Sequence, residues 1–321
     1  MTSRRQVLLG ALGLALTACS TETVADVPGR HVALRRPKPA GQIALLNDVS
    51  PEAVRKMHQS GDDVAIGLGV GFFDAVAQPR PAGLVEMPPF PGEVLRPERS
   101  NAHVVVQIEG DTPEAVAARA DAVLGGARIG WRAAVRREIV ADQAGKSLQR
   151  NSFGFVEGQG NPVHEQLAGA VLRADGSSLL ALRVIQLAQD AWNADDPVKQ
   201  QRIIGRKPDG SWLDGSPSAG EPSFAGDPDG AVTPLDSHVR KANPRTPGVP
   251  SPRMLRRSWI YQGGPADDGV VFMAFQSDFE AGFALAQNRL RGEALAPYLL
   301  TVGGGYFVVP ARDNLGAYLP S

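Results

Sequence analysis

The stretch that decides the fold runs from residue 103 to residue 124 and reads HVVVQIEGDTPEAVAARADAVL. Its first part, His103–Glu109, is rich in β-branched residues, a composition typical of a strand. The following Asp-Thr-Pro-Glu opens a helix, and the alanine-rich sequence continues that helix through Leu124. This stretch therefore predicts a strand followed at once by a helix.

The same kind of pattern surrounds this stretch in the first half of the chain. Ser50 is a helix cap followed by a proline, which is favoured at the first helical position. The predicted elements are an apolar run at Gln42–Leu46, a helix at Pro51–Ser60, a strand at Asp63–Val70 and a last strand at Ile129–Val140. The predicted order of the first half is β-α-β-β-α-β.

The second half repeats this order. Asp195 or Asp196 caps a helix that continues through Ile204, and the apolar residues of Asp278–Leu290 recur close to the helical period. The predicted strands are Ser178–Leu187, Leu255–Tyr261, Val270–Gln276 and Tyr306–Val309. Two such halves predict an α+β fold made by a ferredoxin-like duplication, with antiparallel sheets covered by helices on one face. We place the two domains at residues 41–150 and 151–312.

A long insertion interrupts the second half. About 50 residues rich in Gly, Pro, Asp and Ser separate Ile204 from Leu255, and long irregular insertions in compact domains are usually functional or disordered. The insertion contains SHVRKANPR at residues 237–245, a segment with too many specific polar side chains for a spacer. We therefore expect the insertion to carry function.

Composition excludes several classes of protein. The formal net charge of the 321 residues is −1, with no block of like charge, which argues against a nucleic-acid partner held by phosphate neutralisation. The single cysteine excludes an intramolecular disulfide, a cysteine-based zinc site and an iron–sulfur cluster. No Gly-x-Ser-x-Gly nucleophile motif and no pair of histidines with helical zinc spacing is present.

The N-terminal segment has the features of an export signal. Arg4 and Arg5 precede an apolar run from Val7 to Ala18, which is too short to span a bilayer and resembles a twin-arginine signal. The run ends in Leu-Thr-Ala-Cys, similar to a bacterial lipobox with Cys19 as the lipidated residue. We expect a signal peptide at 1–18, a flexible tether at 19–40, and a protein attached to the membrane by a lipid anchor only, on the outer face of the cytoplasmic membrane. The alternative is a plain secretory signal and a periplasmic or secreted protein.

Three segments resemble the signature motifs of one family, in the order in which that family carries them. They are NSFGFVEGQGNP at 151–162, SHVRKANPR at 237–245 and MLRR at 254–257. In combination they resemble the dye-decolorising peroxidases, and the likeness covers roughly residues 40–310. The resemblance implies two ferredoxin-like halves with haem in the second, which agrees with the repeat found from the pattern.

The resemblance implies that His238 is the axial ligand of the haem iron. Because no Cys-x-x-Cys-His motif is present, the haem is expected to be a non-covalent haem b, one per chain. The family pairs its ligand with a carboxylate on the other ring nitrogen, and Glu293 is the candidate here. The alternative for Glu293 is a solvated charge at a helix end.

On the peroxide side, the resemblance implies that Arg256 stabilises bound hydroperoxide, although a shift of one residue would exchange it with Arg257. Glu157 stands where the family usually carries the aspartate assigned as acid–base group. Further residues implied to line the haem are Gly158, Gln159, Gly160, Asn243, Pro244 and Arg245, with Arg245 a propionate partner and Arg206 a weaker one. Trp259 and Tyr261 are hypothetical electron relays.

The resemblance implies a peroxidase that uses hydrogen peroxide to oxidise organic donors such as dyes and phenolics through a ferryl intermediate. A first alternative is an exported haem-binding, iron-release (deferrochelatase-like) protein with partners in an iron-uptake system. A second is a haem sensor or scavenger disabled by the glutamate at position 157. Rapid reaction with peroxide favours the peroxidase, and slow turnover with reversibly bound haem favours the other two.

Overall fold

A computed structural model describes residues 31–141, 147–158, 160–162, 165–217, 220, 222, 224–264 and 266–320. The predicted signal peptide and Cys19 lie outside these residues, so the structure says nothing about them. Within the described ranges, no helix is long and apolar enough to cross a membrane.

The first half has the predicted order of elements. Ser50 and Thr112 cap the first and third helices by accepting hydrogen bonds from Ala53 N and Ala115 N at 3.1 and 3.2 Å. The elements are β1 Ala40–Asn47, α1 Pro51–Gln59, β2 Val64–Gly69, α2 Val70–Ala75, β3 Val104–Gly110, α3 Pro113–Leu124 and β4 Arg128–Arg136. The short helix α2, which directly continues β2, is an element that the pattern did not predict.

The predicted strand Ile129–Val140 is wrong at its end, because two strands occupy it. β4 ends at Arg136, and the chain continues as β5 Glu138–Ala141, which pairs with β6 Ser147–Arg150 in a separate sheet. The break follows Arg137, whose backbone N–H donates to Pro39 O at 2.8 Å and makes the last bond in register with the β1–β4 pairing. β7 Val156–Glu157 completes this small sheet. It also begins residues 156–162 of the motif NSFGFVEGQGNP, which we call the signature segment.

The second half also follows the predicted order, with three differences at element ends. Asp196, and not Asp195, is the cap, because its carboxylate accepts from Val198 N and Lys199 N at 2.9 and 3.0 Å. The helix predicted at Asp278–Leu290 is shorter and spans only Phe283–Arg289. The last strand has 11 residues where the pattern predicted a short one. The elements are α4 Glu165–Val171, β8 Ser178–Leu187, α5 Gln189–Ala194, α6 Pro197–Ile204, α7 His238–Ala242, β9 Leu255–Gln262, β10 Asp268–Gln276, α8 Phe283–Arg289 and β11 Leu299–Val309. Single 3₁₀ turns lie at Val32–Leu34, Pro97–Arg99, Phe224–Gly226, Ala296–Tyr298 and Leu315–Tyr318.

Each half forms a four-stranded antiparallel sheet with the same order of strands. The orders are β4-β1-β3-β2 and β11-β8-β10-β9, which are identical when each half is numbered from its own first strand. The predicted ferredoxin-like duplication is therefore confirmed. In addition, β2 pairs with β11 and β4 pairs with β9, so the two sheets close into one barrel of eight strands.

The barrel wall has an interior face and a face covered by helices. Alternate residues of a strand point to opposite faces. Trp259, Met273 and Leu182 belong to an apolar cluster that draws on strands of both halves and fills the interior. Ala274 and Ala181 belong to the other cluster, which includes Phe283 of α8. The face on which a β9 residue lies therefore decides what it contacts.

The residues from His31 onward differ from the predicted flexible tether. Val32 and Ala33 are buried in the interior cluster, and Arg257 of β9 donates to their carbonyl oxygens at 3.0 and 2.8 Å. His31 is 3% exposed; its Nε2 lies 2.9 Å from Val309 O, and its Nδ1 accepts from Ala33 N at 3.0 Å. A buried guanidinium needs acceptors, and this segment supplies them.

His31 is expected to make stability fall at acid pH. Burial lowers the pKa of His31 from 6.5 to about 4; the charges of Arg257 and Arg35 add to this shift, and the hydrogen bond to Val309 O opposes it. The stability it contributes is complete above pH 6.5 and is lost as the pH falls toward 4, which amounts to about 2 kcal/mol between pH 7 and pH 5. Urea unfolding at the two pH values measures this loss, and His31→Gln should reduce it by that amount. An unchanged pH dependence in His31→Gln would contradict the assignment.

Candidate active site

Arg256 lies on the helix-covered face of β9. It pairs with Ala274 of β10, which belongs to the cluster under α8. Its backbone N and its Nε both donate to Asn161 Oδ1, at 3.0 and 3.1 Å, and Asn161 Nδ2 donates back to Arg256 O at 3.0 Å. These contacts attach the signature segment 156–162 to β9.

Arg257 lies on the interior face and is not part of this site. It pairs with Met273 and contacts the N-terminal segment described above. Burial lowers the pKa of Arg257 to about 10, with Glu109 opposing that shift. Because residues of β9 alternate, Arg256 is the one of these two arginines that faces the signature segment.

Glu157 ends β7 and lies among cationic groups. Burial raises the pKa of its carboxyl group, while the charges of Arg206 and Arg256, a hydrogen bond from Asn151 and the charge of Arg137 partly oppose this shift. The net effect is a raised pKa, so the carboxyl group is a poorly solvated acid–base group beside guanidinium groups. Perturbed carboxyl groups of this kind are typical of functional sites.

Two further arginines belong to the same cluster. Arg206 follows α6 and is 8% exposed; burial lowers its pKa to about 10, and Glu157 opposes the shift. Arg245 is held by aromatic rings, with its guanidinium carbon 5.0 Å from the centre of the Trp212 ring and 5.5 Å from that of Phe224. The like charge of Arg245 contributes to lowering the pKa of Arg256, so these two side chains are neighbours.

The signature glycines lie in this cluster in conformations that favour glycine. Gly158 and Gly160 have φ values of +99° and +73°. A Cβ atom at Gly160 would lie 3.8 Å from Nη2 of both Arg245 and Arg256, whereas one at Gly158 would meet nothing within 4 Å. The chain therefore passes close to the guanidinium groups with open space beside it. Gln159 lies outside the described residues.

His238 is the first residue of α7, inside the long insertion. Its Nδ1 lies 2.6 Å from Glu293 Oε2, and the Glu293 side chain is 7% exposed. A carboxylate at Nδ1 selects the tautomer that carries the proton there, which leaves the Nε2 lone pair available. Among the described residues Nε2 has no hydrogen-bond partner, and the His238 side chain is 33% exposed. Glu293 is therefore a buried partner of the imidazole, not a solvated charge.

The two segments that carry His238 and Glu293 are fixed to each other by the backbone. Ala294 N donates to Asp236 O at 2.9 Å, and Ser237, which is fully buried, donates from its hydroxyl to Pro234 O at 2.7 Å. This pair of segments positions an imidazole nitrogen that can bind a metal ion. Groups of three or more His, Cys, Asp or Glu side chains able to hold a metal do not occur in the described ranges.

The other predicted site residues divide between this site and the barrel interior. Asn243 accepts from Arg245 N and Ser251 Oγ at 3.4 and 3.2 Å and stabilises the loop, and Pro244 is half-buried beside it. Trp259 and Tyr261 lie on the same face of β9 as Arg257, inside the barrel. Neither hypothetical relay faces Arg256.

Two asparagines take part in this site although no role was predicted for them. Asn161 holds Arg256, and Asn151 bonds the Glu157 carboxyl group. Both stand inside the quoted motif NSFGFVEGQGNP, so the motif was the signal, but only the fold shows what each amide contacts.

Residues 148–314 match the family model of the C-terminal part of Dyp-type peroxidases. Curated relatives include deferrochelatases from Shigella boydii and Escherichia coli K12, each 34% identical over 294 residues, which cover 80% of this chain and 69% of the relative. Similar solved structures include a DyP-type peroxidase from Streptomyces coelicolor (22% identity) and ferric DtpA from Streptomyces lividans (23% identity). Both have a TM-score of 0.77 and cover 89% of this chain and 91% of the other. The chain belongs to the Dyp-type peroxidase family.

Proposed function

We propose that this Dyp-type peroxidase binds one haem b non-covalently on His238 and uses Arg256 and Glu157 to react with hydrogen peroxide, oxidising organic donors such as dyes and phenolics. The observation that carries the proposal is the His238–Glu293 pair, in which a buried carboxylate leaves Nε2 of a partly exposed imidazole without a partner among the described residues. When bound, haem supplies the redox-active iron that takes oxidising equivalents from peroxide and passes them to the donor.

The donor set fits an anionic porphyrin. His238 Nε2 supplies the nitrogen ligand, and Arg245 and Arg206 supply cationic groups suited to propionates. Gly158 and Gly160 add no side chain at their two positions of the signature segment, and the position of a Cβ at Gly158 is open. These features support a flat, negatively charged cofactor at this cluster.

Glu293 acts through His238. Its carboxylate accepts a hydrogen bond from Nδ1–H, fixes the ring orientation and makes Nε2 more electron-donating. Because Glu293 is buried, this hydrogen bond is shielded from competition by solvent. Glu293 is thus a positioning residue for the ligand.

Arg256 and Glu157 have different roles in the reaction with peroxide. The guanidinium of Arg256, held by Asn161, stabilises the negative charge of a hydroperoxide anion. The carboxylate of Glu157 accepts the peroxide proton and returns it to the departing oxygen. The raised pKa of Glu157 lies closer to neutral pH than that of an ordinary glutamate, and an acid–base group is most effective when its pKa is near the working pH.

Glutamate at position 157 changes the geometry relative to the aspartate usual in the family. One added methylene moves the carboxylate by about 1.3 Å, and rates respond to displacements of about 1 Å. Asn151 and the guanidinium groups around Glu157 provide fixed partners for the longer side chain. We therefore favour an active peroxidase over the disabled haem sensor or scavenger.

A second candidate function is the release of iron from haem. The relatives named deferrochelatase favour it, and it uses the same haem site with haem as cargo. Iron-uptake partners belong to this candidate. We also propose export, with Cys19 as a lipid anchor, which rests on the N-terminal sequence alone.

The first test separates haem binding from reaction with peroxide. His238→Ala is expected to prevent stable haem loading, which the Soret absorbance of the purified chain measures. Arg256→Ala is expected to load haem and to slow the reaction with one equivalent of peroxide by about 10²–10³-fold in stopped flow. The matched controls are His103→Ala and Arg253→Ala, both outside the cluster. Normal haem loading by His238→Ala would overturn the assignment.

Glu157 is expected to set the acid limb of the pH profile. Only the carboxylate accepts a proton, so kcat/KM for peroxide falls as the pH falls through the pKa of Glu157, which burial raises above the ordinary glutamate range. Glu157→Gln should lower the rate by about 10²-fold or more and remove this limb. Glu157→Asp should keep a limb. A Glu157→Gln variant with the wild-type profile would show that another group moves the proton.

A further inference from the structure

We propose that Asn161 is the positioning residue of Arg256: its neutral amide fixes the guanidinium without cancelling its charge. This inference rests on the proposed function of Arg256. Nothing in the composition or spacing of the signature segment assigns this role, which follows from three hydrogen bonds between the two residues.

The three hydrogen bonds hold both the backbone and the side chain of Arg256. Asn161 Oδ1 accepts from Arg256 N at 3.0 Å and from Arg256 Nε at 3.1 Å, and Asn161 Nδ2 donates to Arg256 O at 3.0 Å. One amide thus uses its oxygen twice and its nitrogen once on a single partner. The bond to Nε fixes the guanidinium plane relative to the strand.

The segment that carries Asn161 is itself held in place. Asn161 N donates to Gly158 O at 3.2 Å and closes a turn, and Gly160 takes a φ of +73° within it. A Cβ at Gly160 would be 3.8 Å from Nη2 of Arg245 and of Arg256. The turn therefore presents the amide at the base of the arginine side chain while the neighbouring residue leaves room for the guanidinium groups.

The charges around Arg256 explain why such an anchor is needed. Glu157 attracts the guanidinium and Arg245 repels it, as their opposite effects on the pKa of Arg256 indicate. An arginine side chain has about 2 kcal/mol of rotamer entropy, so a hydrogen bond at Nε restricts how far the guanidinium follows these fields. A close ion pair with Glu157 would neutralise the two groups that act on peroxide. Asn161 restricts this movement.

The choice of amide follows from the same charges. Aspartate at position 161 would keep the acceptor oxygen for Arg256 N and Nε, but it would place a negative charge about 3 Å from the guanidinium. The anion-stabilising charge of Arg256 would be compensated, and the donor to Arg256 O would be lost. The amide of asparagine accepts from Arg256 N and Nε, donates to Arg256 O and adds no negative charge.

A double-mutant cycle on the haem-loaded protein tests the inference. The variants are Asn161→Ala, Arg256→Ala, the double variant and the control Asn314→Ala, whose amide makes a 3.3 Å bond to Asp175 O away from the cluster. The two measurements are the dissociation constant for cyanide from Soret titration, which reports anion binding without turnover, and the stopped-flow rate with peroxide. Haem loading is measured for every variant.

Asn161→Ala is expected to weaken cyanide binding about tenfold and to slow the peroxide reaction about 10- to 100-fold, the cost of a displacement near 1 Å. In the Arg256→Ala background the same change should alter either quantity less than twofold, because the group it positions is gone. Equal effects of Asn161→Ala in both backgrounds would overturn the inference and leave Asn161 a structural residue.

Asn161→Asp keeps the test decisive if Asn161→Ala does not retain haem. It is expected to keep the fold through the remaining acceptor and to weaken cyanide binding about tenfold, again only while Arg256 is present. Wild-type cyanide affinity in Asn161→Asp would overturn the inference. Failure of the proposed function has a different signature, since Arg256→Ala alone would then leave both measurements unchanged.

Discussion

Two adjacent arginines on β9 point to opposite faces of the barrel wall, and much of the molecule is arranged around this alternation. Arg257 enters the interior, where the carbonyl oxygens of Val32 and Ala33 accept its hydrogen bonds. Arg256 faces the signature segment and is held by Asn161. Because side chains of a strand alternate strictly, a shift of register by one residue would turn Arg256 into the barrel interior and bring Arg257 to the helix-covered face. The pairing of β9 with both β10 and β4 fixes that register.

The site concentrates positive charge around the carboxylate of Glu157. Burying these charged groups lowers the stability of the folded chain. Burial disfavours the charged forms of Glu157 and Arg206, and each partly relieves the other. Removing charges from water is costly unless they are paired or hydrogen-bonded, so such a cluster is poor evidence of stability. It is consistent with a site organised to receive anions, a porphyrin with its propionates and a hydroperoxide. The aromatic rings of Trp212 and Phe224 beside Arg245 supply part of the compensation within the chain.

Local patterns predicted the fold well, and distant contacts were the parts they missed. The strand and helix of residues 103–124 follow from composition and capping, and β3 and α3 occur there. The closure of the barrel depends on β2–β11 and β4–β9 pairs between residues far apart in sequence, for which no local signal exists. The burial of the segment after His31 was missed for the same reason, because its partner Arg257 is more than 220 residues away in the sequence. At the site, the family motifs named Arg256 and Glu157, but the roles of Asn151 and Asn161 depend on contacts visible only in the folded chain.

The insertion that carries His238 is held by its own charged groups as well as by the barrel. Helix α7 has only five residues and cannot be stable alone. Arg240, two residues after His238, lies about 200° around the helix axis. Its guanidinium donates to Asp227 Oδ2 and Thr233 O at 3.0 and 2.7 Å and lies 5.0 Å from the Phe224 ring centre. One side of α7 is thereby bound to residues 227–233, which lie earlier in the insertion. The other side presents His238 to Glu293. The position of the His238 imidazole is therefore set by two independent contacts, one from α7 to residues 227–233 of the insertion and one to Glu293 after α8.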